Sequence, residues 1–159
     1  MEDLEQLERI IQKFTSEKIT LAIAESCTGG YISHMITNIS GASKVFERGI
    51  ICYSNQSKIQ LLNVDSEIIE KYGAVSESVA NQLAFNIRVL SNTDIGIGIT
   101  GIAGPTGGTK EKPVGLVYIG VSTPEKTEVH SFEFKADRIT FKNIVLGKII
   151  EFLNELENK

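Results

Sequence analysis

The chain has 159 residues, 42% of them hydrophobic and 23% charged, which fits one well-buried globular domain and is too short for two ordinary ones. Sixteen basic and twenty acidic residues give a net charge of −4, so the composition provides no bulk attraction for nucleic acid. No apolar run approaches the roughly 18 residues of a membrane span, and the acidic N-terminus lacks the pattern of a signal peptide.

The few cysteines and histidines also limit what the protein can be. Cys27 and Cys52 do not form a disulfide framework, and with only His34 and His130 beside them they do not supply a zinc site. We therefore expect a single cytoplasmic domain over residues 1–159, without a metal or a cofactor and without a membrane or a nucleic acid as partner.

The first half of the chain alternates predicted helices with predicted strands. Apolar residues recur every three or four positions over residues 3–15, which is typical of an amphipathic helix. The next elements in chain order are a buried strand at Lys18–Ala24, a helix over about residues 28–38, a strand at Ser43–Tyr53, and short helices at Asn55–Leu62 and Ser66–Tyr72. Ser76 then provides a good N-cap for a longer amphipathic helix.

The second half is richer in strands and in glycine. It contains a short apolar strand at Asp94–Thr100, a glycine- and proline-rich loop over residues 101–113, strands at Val114–Ser122 and Thr127–Lys135, and a final helix over residues 138–157. Strands that alternate with helices predict a layered α/β fold, and the late pair of strands makes the sheet mixed rather than purely parallel.

The first candidate site is the sequence A-E-S-C-T-G-G at residues 24–30, where a strand is predicted to end and a helix to begin. Unpaired backbone N–H groups at a helix start favour negative charge, so Ser26 there suits chemistry that involves an oxyanion or a phosphate. Gly29 and Gly30 weaken a first helical turn, and close approach of the backbone to a ligand is one reason to keep them. The alternative is that Ser26 or Thr28 simply caps the helix.

The second candidate site is the polar turn that opens with Tyr53 and reaches Lys58. Lys58 is either an ordinary exposed helix lysine or a general base whose pKa burial has lowered enough to leave a neutral amine. Tyr53 is either a core aromatic residue or a phenol that handles protons. The local pattern alone favours the ordinary interpretation for both side chains.

The third candidate site is the glycine-rich segment that begins in the strand at Asp94–Thr100. Gly96, Gly98 and Gly101 spell G-x-G-x-x-G, but Pro105 and further glycines follow where a dinucleotide-binding motif must open a helix. We therefore reject the dinucleotide interpretation. What remains is a loop whose backbone N–H groups could hold an anion, or else an ordinary long connection.

Two other nucleophilic arrangements are weaker. A Ser–His–Asp triad would have to recruit His34 or His130, and His34 lies two turns down the predicted helix from Ser26, on a stretch that could equally be packed. Cys27, beside Ser26, is either a nucleophile or a small buried residue, and the absence of a recognisable base favours the second interpretation.

Several motifs taken together resemble one family. In chain order they are A-E-S-C-T-G-G at residues 24–30, G-I-I-C-Y-S-N-Q-S-K at 49–58, Y-G-A-V-S at 72–76, T-G-I-A-G-P-T-G-G at 100–108 and K-P-V-G at 112–115. Over about residues 4–156 the chain resembles the CinA C-terminal domain, also known as the nicotinamide-nucleotide amidase domain. The resemblance implies a three-layer α/β/α sandwich with a mixed, mostly parallel sheet. It also implies metal-free hydrolysis of nicotinamide mononucleotide to nicotinic acid mononucleotide and ammonia, in pyridine-nucleotide salvage.

The resemblance also implies roles for individual residues. Ser26 matches the family's nucleophile, Lys58 its base and Tyr53 the neighbouring tyrosine. Arg138 matches an arginine that follows the last strand and is expected to contact the phosphate of the nucleotide. The positions that match the nucleotide-binding loop are Thr100, Gly101, Gly104 and Gly108.

Two positions depart from the family pattern near that expected phosphate contact. Ala136 replaces a common glycine, and Lys142 replaces an arginine often found in the tail helix. Lysine keeps a cation there but lacks the bidentate fork of arginine, so both changes concern phosphate binding rather than the nucleophile.

The remaining residues near the nucleophile have expected roles in binding substrate. We expect backbone N–H groups of Cys27 and Thr28 to stabilise an oxyanion, and Gly29 and Gly30 to leave room for the pyridine ring. Glu25 either orients a water molecule or binds ribose, and the sequence does not decide between them.

The wider family pattern adds expectations about assembly and alternative functions. The molybdopterin-binding-like domain fused in many family members is absent, which implies the stand-alone form, and exposed apolar positions near Gly49 suggest a homo-oligomer.

Two other functions remain open. A non-catalytic nucleotide-binding or regulatory module would use the same glycines and Arg138. A factor acting on DNA is suggested only by the family's historical name, and the acidic composition argues against it.

Overall fold

The computed structural model describes residues 2–157, so Met1, Asn158 and Lys159 of the predicted domain lie outside the described residues. The helices are α1 (Glu2–Glu17), α2 (Tyr31–Thr37), α3 (Asn55–Leu62), α4 (Ser66–Tyr72), α5 (Glu77–Ser91) and α6 (Arg138–Glu157), with a short 3-10 turn at Ala42–Lys44. The strands are β1 (Leu21–Glu25), β2 (Phe46–Ile51), β3 (Ile95–Gly101), β4 (Leu116–Ser122) and β5 (Thr127–Glu133).

The strands form one five-stranded sheet in the order β2-β1-β3-β4-β5. β1 runs parallel to both of its neighbours, and β4 runs antiparallel to both β3 and β5. Four of the five strands therefore point the same way, and the predicted mixed, mostly parallel sheet is confirmed. Every residue of β1 is buried, because helices cover both faces of a central parallel strand.

The hydrophobic core lies in two layers, one on each face of the sheet. Side chains of α1, α2 and α6 pack on one face against Ile23, Ile97 and Ile119. Side chains of α3, α4 and α5 pack on the other face against Ala22 and Ala24. This arrangement confirms the predicted three-layer α/β/α sandwich.

Three glycines explain how closely α5 approaches the sheet. A Cβ atom added at Gly96, Gly98 or Gly120 would overlap backbone atoms of Ala80 or Ala84 in α5. Gly96 and Gly98, two of the three glycines that formally spell a dinucleotide motif, therefore make a close helix–sheet contact, and the third, Gly101, packs against Leu116 and Val117 of β4. These packing roles agree with the rejection of that motif.

The predicted and observed elements differ mainly at helix and strand ends. The helix expected from about residue 28 begins at Tyr31, because Gly29 and Gly30 have positive φ angles of 62° and 95° and cannot continue a right-handed helix backwards. The strand expected over Ser43–Tyr53 is shorter, since its first residues form the 3-10 turn and the chain leaves the sheet after Ile51.

The topology brings three chain connections to one edge of the sheet. The carboxyl ends of β1, β2 and β3 lie side by side, with β1 in the middle. The chain passes from β1 to β2 on one side and then returns to β3 on the other side. Open α/β sheets bind ligands at such a switch in strand order.

Candidate active site

Ser26 is the first residue after β1, at the point where the strand order reverses. Its backbone N–H donates to the carbonyl oxygen of Ile99 in β3 at 3.1 Å, and its own carbonyl accepts the N–H of Gly29 at 3.0 Å. Only 7% of the residue is exposed. These two bonds therefore fix the backbone of Ser26 beside the end of β3.

Lys58 meets Ser26 from the neighbouring connection. Its Nζ lies 2.9 Å from Ser26 Oγ, and it donates to the carbonyl oxygens of Cys52 at 2.9 Å and Tyr53 at 3.2 Å. The residue is 1% exposed, so the interpretation of Lys58 as an ordinary exposed lysine is wrong. Ser54 caps α3 by accepting the N–H of Ser57, which fixes the start of the helix that carries the lysine.

The surroundings of Lys58 favour a neutral amine. Burial lowers the pKa of its amine from the ordinary value of 10.5, because desolvation disfavours the charged form. Carbonyl oxygens can only accept, so the two N–H groups of a neutral amine satisfy Cys52 and Tyr53. The lone pair that remains is then available to the hydroxyl proton of Ser26.

Glu25 lies next to Ser26 but faces away from the cleft. It is fully buried, and its carboxylate accepts the backbone N–H groups of Gly30, Ile32 and Ser33. The structure therefore corrects the expectation that Glu25 orients a water molecule or binds ribose. The carboxylate instead provides the cap of α2.

The alternative that Ser26 or Thr28 caps α2 is also wrong. Gly30 is the N-cap residue of that helix and has no side-chain bond to offer. The Thr28 hydroxyl is buried and has no hydrogen-bond partner among residues 2–157. Within the same described range, the backbone N–H groups of Cys27 and Thr28 make no hydrogen bond to another residue.

Gly29 and Gly30 contact the protein itself rather than the cleft. A Cβ atom at Gly30 would lie 2.8 Å from Cδ1 of Ile51, and one at Gly29 would lie 3.7 Å from Nζ of Lys142. Neither glycine lines the cleft. The expectation that they leave room for a pyridine ring is corrected: their positive φ angles shape the turn before α2.

An open cleft of about 270 Å³ lies over Ser26 and Lys58. Its lining consists of Ser26, Cys27, Tyr53, Asn55, Lys58, Ala74, Val75, Thr100, Gly101, Ile102, Ala103, Gly104, Thr106, Gly107 and Arg138. The predicted residues Thr100, Gly101 and Gly104 are thus brought together with the Ser26–Lys58 pair. Tyr53 is 60% exposed at the cleft, so its interpretation as a core aromatic residue is wrong.

Three contacts hold the far wall of the cleft. The hydroxyl of Thr100 donates to the carbonyl oxygen of Ala74 at 2.8 Å, and the ammonium of Lys112 donates to the carbonyl oxygen of Tyr72. Arg138 is exposed at the start of α6, lines the cleft and donates from Nε to the carbonyl oxygen of Gly104 at 2.8 Å.

Gly108 is the one predicted loop glycine that does not line the cleft. A Cβ atom there would lie 2.6 Å from the backbone nitrogen of Val114, so the residue packs against the second half of its own loop. Its role is to let the loop fold back on itself.

Sequence reasoning missed Asn55 and the wall residues Ala74 and Val75. Asn55 opens α3 three residues before Lys58, and this spacing on one helical face could have indicated it. Its side chain makes no hydrogen bond among residues 2–157. Ala74 and Val75 belong to the Y-G-A-V-S motif but have no chemical signature of their own, so only the folded chain shows that they line the cleft.

The other candidate nucleophiles and bases fall outside this arrangement. Cys27 lines the cleft, but burial raises the pKa of its thiol to about 12. His34 contacts Asn38 and His130 stacks on Phe152, and neither histidine lines the cleft. No group of three or more metal-ligating side chains is found among residues 2–157.

A larger pocket lies at the opposite end of the strands, beside the amino ends of β1 and β3. Its volume is about 510 Å³, and its lining includes Ile19, Asp94, Pro124 and Leu156. It contains no serine, cysteine or histidine beside a base, so the smaller cleft is the better candidate for catalysis. No helix within residues 2–157 has the length and apolarity to cross a membrane.

Comparisons with known proteins agree with this fold. A family model described as the CinA C-terminal domain matches residues 4–156. A protein from Thermoanaerobacter pseudethanolicus, named as a competence-damage inducible protein, is 51% identical over 137 residues, which are 86% of this chain and 33% of that protein. A CinA-like protein from Kosmotoga olearia is 49% identical over 150 residues, which are 94% of this chain and 36% of that protein. The chain spans about a third of the length of these curated relatives.

Solved structures extend the likeness to three dimensions. The competence/damage inducible protein CihA from Agrobacterium tumefaciens has a TM-score of 0.95 and 34% identity, covering 100% of this chain and 97% of that one. A CinA superfamily protein from Escherichia coli has a TM-score of 0.92 and 27% identity, covering 97% of this chain and 90% of that one. The shared fold therefore includes the strands and loops that form the cleft.

Proposed function

We propose that this chain, which belongs to the CinA C-terminal domain family, hydrolyses the carboxamide of nicotinamide mononucleotide to nicotinic acid mononucleotide and ammonia. The observation that carries the proposal is the buried contact of 2.9 Å between Lys58 Nζ and Ser26 Oγ. A serine hydroxyl is a weak nucleophile until a nearby base takes its proton, and a neutral lysine amine is such a base.

The first chemical step forms an acyl-enzyme. Lys58 takes the hydroxyl proton while Ser26 Oγ attacks the carboxamide carbon, and the negative charge moves to the carboxamide oxygen. The backbone N–H of Cys27, which lines the cleft and makes no hydrogen bond to another of the described residues, stabilises that oxyanion. Thr28 is fully buried and does not line the cleft, so we assign its N–H no role in the reaction. Collapse of the tetrahedral intermediate breaks the C–N bond, and Lys58 returns the proton to the departing ammonia.

The second chemical step releases the acid. A water molecule attacks the ester carbon of the acyl-enzyme and gives its proton to Lys58. The C–O bond to Ser26 then breaks, and the serine oxygen takes that proton back. Both steps need the same amine to gain and lose one proton, which suits a lysine whose pKa burial has lowered.

The rest of the cleft binds the nucleotide. Arg138 supplies a cation at the start of α6, and the residues of the Thr100–Gly104 segment and Thr106 line the same space. Binding the phosphate and ribose away from the reacting carbon aligns the carboxamide with Ser26. Tyr53, exposed at the cleft, is placed to hydrogen-bond the substrate or to carry protons.

The experiment that tests this function is an ammonia-release assay on a panel of carboxamides. The panel contains nicotinamide mononucleotide, its riboside, the dinucleotide and free nicotinamide, each with wild type and Ser26→Ala. We expect rapid release from the mononucleotide and a loss on the order of 10⁴-fold or more in Ser26→Ala, which keeps its fold. Binding without turnover by wild type would favour a regulatory nucleotide-binding module, and full activity of Ser26→Ala would rule out the covalent mechanism.

A further inference from the structure

We propose that Glu25 is a positioning residue whose buried carboxylate and carbonyl set the distance between Ser26 and Lys58. It contacts neither the substrate cleft nor the reacting atoms. The inference rests on the proposed function, because the reaction that Glu25 serves is attack by Ser26 on a carboxamide.

The side chain of Glu25 fixes the nucleophile's turn. Oε2 accepts the N–H groups of Gly30 at 3.0 Å and Ile32 at 3.1 Å, while Oε1 accepts the N–H of Ser33 at 2.7 Å and its hydroxyl at 2.6 Å. All four donors belong to the start of α2, whose N-cap residue has no side chain. The turn that contains Ser26 is therefore held between the end of β1 and the helix that Glu25 caps.

The main chain of Glu25 fixes the base. Its carbonyl oxygen accepts the N–H of Cys52 at 2.8 Å and the thiol of Cys52 at 3.4 Å. The carbonyl of Cys52 in turn accepts Nζ of Lys58 at 2.9 Å. One residue thus links the serine side and the lysine side of the pair, through its side chain and its backbone.

The chemistry of this cap requires a carboxylate. A carboxylate offers only acceptors, and four donors converge on its two oxygens. Glutamine has the same shape, but its NH₂ group would face N–H groups and leave buried donors unpaired. The turn would then shift, and a displacement of about 1 Å in a reacting group costs about 10²-fold in rate.

The experiment compares Glu25→Gln with a matched control, Asp65→Asn. Asp65 also caps a helix, α4, by accepting the N–H of Glu67 at 2.9 Å, but it does not line the cleft. Two rates are measured beside the melting temperature: kcat on nicotinamide mononucleotide, and the rate at which an alkyl fluorophosphonate modifies Ser26, followed by intact mass. The second rate reports the Ser26–Lys58 geometry without using the proposed substrate.

We expect Glu25→Gln to lower kcat and the phosphonylation rate together by about 10²-fold with KM unchanged. Asp65→Asn should lower the melting temperature and leave both rates at the wild-type values. Ser33→Ala removes one of the four hydrogen bonds to the Glu25 carboxylate and should lower both rates by a smaller factor. It is the decisive variant where Glu25→Gln does not fold.

Three results would overturn the inference. The first is a Glu25→Gln protein that is destabilised but keeps the wild-type kcat and phosphonylation rate, or the same result in Ser33→Ala where Glu25→Gln does not fold. The second is a change in the variant that is confined to KM. The third is a wild-type protein whose Ser26 the phosphonate does not modify. A wild-type protein that is phosphonylated but releases no ammonia contradicts the proposed function instead, and the labelling rates of the variants then still decide the role of Glu25.

Discussion

Lys58 Nζ lies 2.9 Å from Ser26 Oγ, although 32 positions separate the two residues in the chain. Each residue follows a strand of the parallel part of the sheet, and β1 and β2 are neighbours, so the two connections start side by side. The contact is a consequence of parallel pairing between β1 and β2. Its burial distinguishes it from an ordinary surface hydrogen bond, because a buried amine without a carboxylate partner tends to lose its proton.

Activity is expected to rise with pH. The reactive form of Lys58 is the neutral amine, so kcat/KM should increase tenfold per pH unit below its lowered pKa and reach a plateau above it. Lys58→Arg, which keeps a cation but cannot act as a base, should remove at least about 10³-fold of the activity. A profile that is flat from acidic pH upwards, or substantial activity in Lys58→Arg, would contradict the role of the amine.

The same shift predicts how stability depends on pH. The folded protein binds the Lys58 proton more weakly than the unfolded chain, in which the pKa is near its ordinary value of 10.5. The contribution of Lys58 to the free energy of unfolding therefore increases as pH rises between the folded and the unfolded pKa values. Urea unfolding across this range measures the free energy of unfolding of wild type and of Lys58→Met. The value for wild type minus the value for Lys58→Met should increase with pH, and a decrease would contradict the lowered pKa of Lys58.

Asn55 is expected to contact the carboxamide of the substrate and the carboxylate of the product. Its free amide lines the cleft three residues before Lys58, and an amide can both donate to and accept from a carboxamide. Asn55→Asp should weaken competitive inhibition by nicotinic acid mononucleotide about tenfold, because two carboxylates repel, and should change KM for the amide less.

Gln56→Glu is the matched control for Asn55, since it introduces the same charge on the same helical turn but does not line the cleft. Its inhibition constant should stay at the wild-type value. Equal weakening in both variants would assign the effect to net charge near the cleft rather than to contact with Asn55.

Arg138→Ala is expected to raise KM for the mononucleotide about tenfold or more, because a hydrogen bond to a charged group is worth about 1.5–3 kcal/mol. The riboside lacks the phosphate, so its kcat/KM should change much less. Lys148→Ala on the same helix, outside the cleft, controls for the loss of a cation. Equal losses for the mononucleotide and the riboside would show that Arg138 acts by holding Gly104 rather than by binding phosphate.

Cys27 is expected to be dispensable for catalysis. With a thiol pKa of about 12, only about 10⁻⁴ of the side chain is thiolate at pH 8. Iodoacetamide at that pH should therefore leave the initial activity intact, and Cys27→Ala should keep activity within a few-fold of wild type. Rapid inactivation that tracks alkylation of Cys27, together with loss of activity in Cys27→Ala, would instead identify the thiol as the nucleophile.

Much of the fold could be predicted because the relevant signals are local. The bounds of α3 and α4 are those predicted, and Ser76 caps α5 by accepting the N–H of Val79, since caps and turn residues act within one helical turn. The family resemblance and the α/β/α class are confirmed by the family match and the sheet. The single domain, the cytoplasmic location and the homo-oligomer stay predictions.

The site could be predicted only where a residue lies in a motif that the family resemblance assigns to a role. The local pattern left Ser26 open as a helix cap and favoured an ordinary role for Lys58, so the catalytic roles of both were expected from the family resemblance. The start of α2 and the role of Glu25 depend on which donors a buried carboxylate reaches after folding. Local propensity placed the cap on Ser26 or Thr28, the nearest hydroxyls. The tertiary arrangement gave it to a residue in the preceding strand, which no rule of sequence spacing anticipates.

The close packing of α5 against Gly96, Gly98 and Gly120 of the sheet constrains how the substrate range could evolve. Because the helix rests on main-chain atoms, any larger residue at these positions would lift it and move Ala74 and Val75, which immediately precede it at the cleft. Adaptation to a bulkier substrate would therefore be easiest through the glycine-rich segment after β3. The opposing wall would remain almost invariant in position among descendants of this chain.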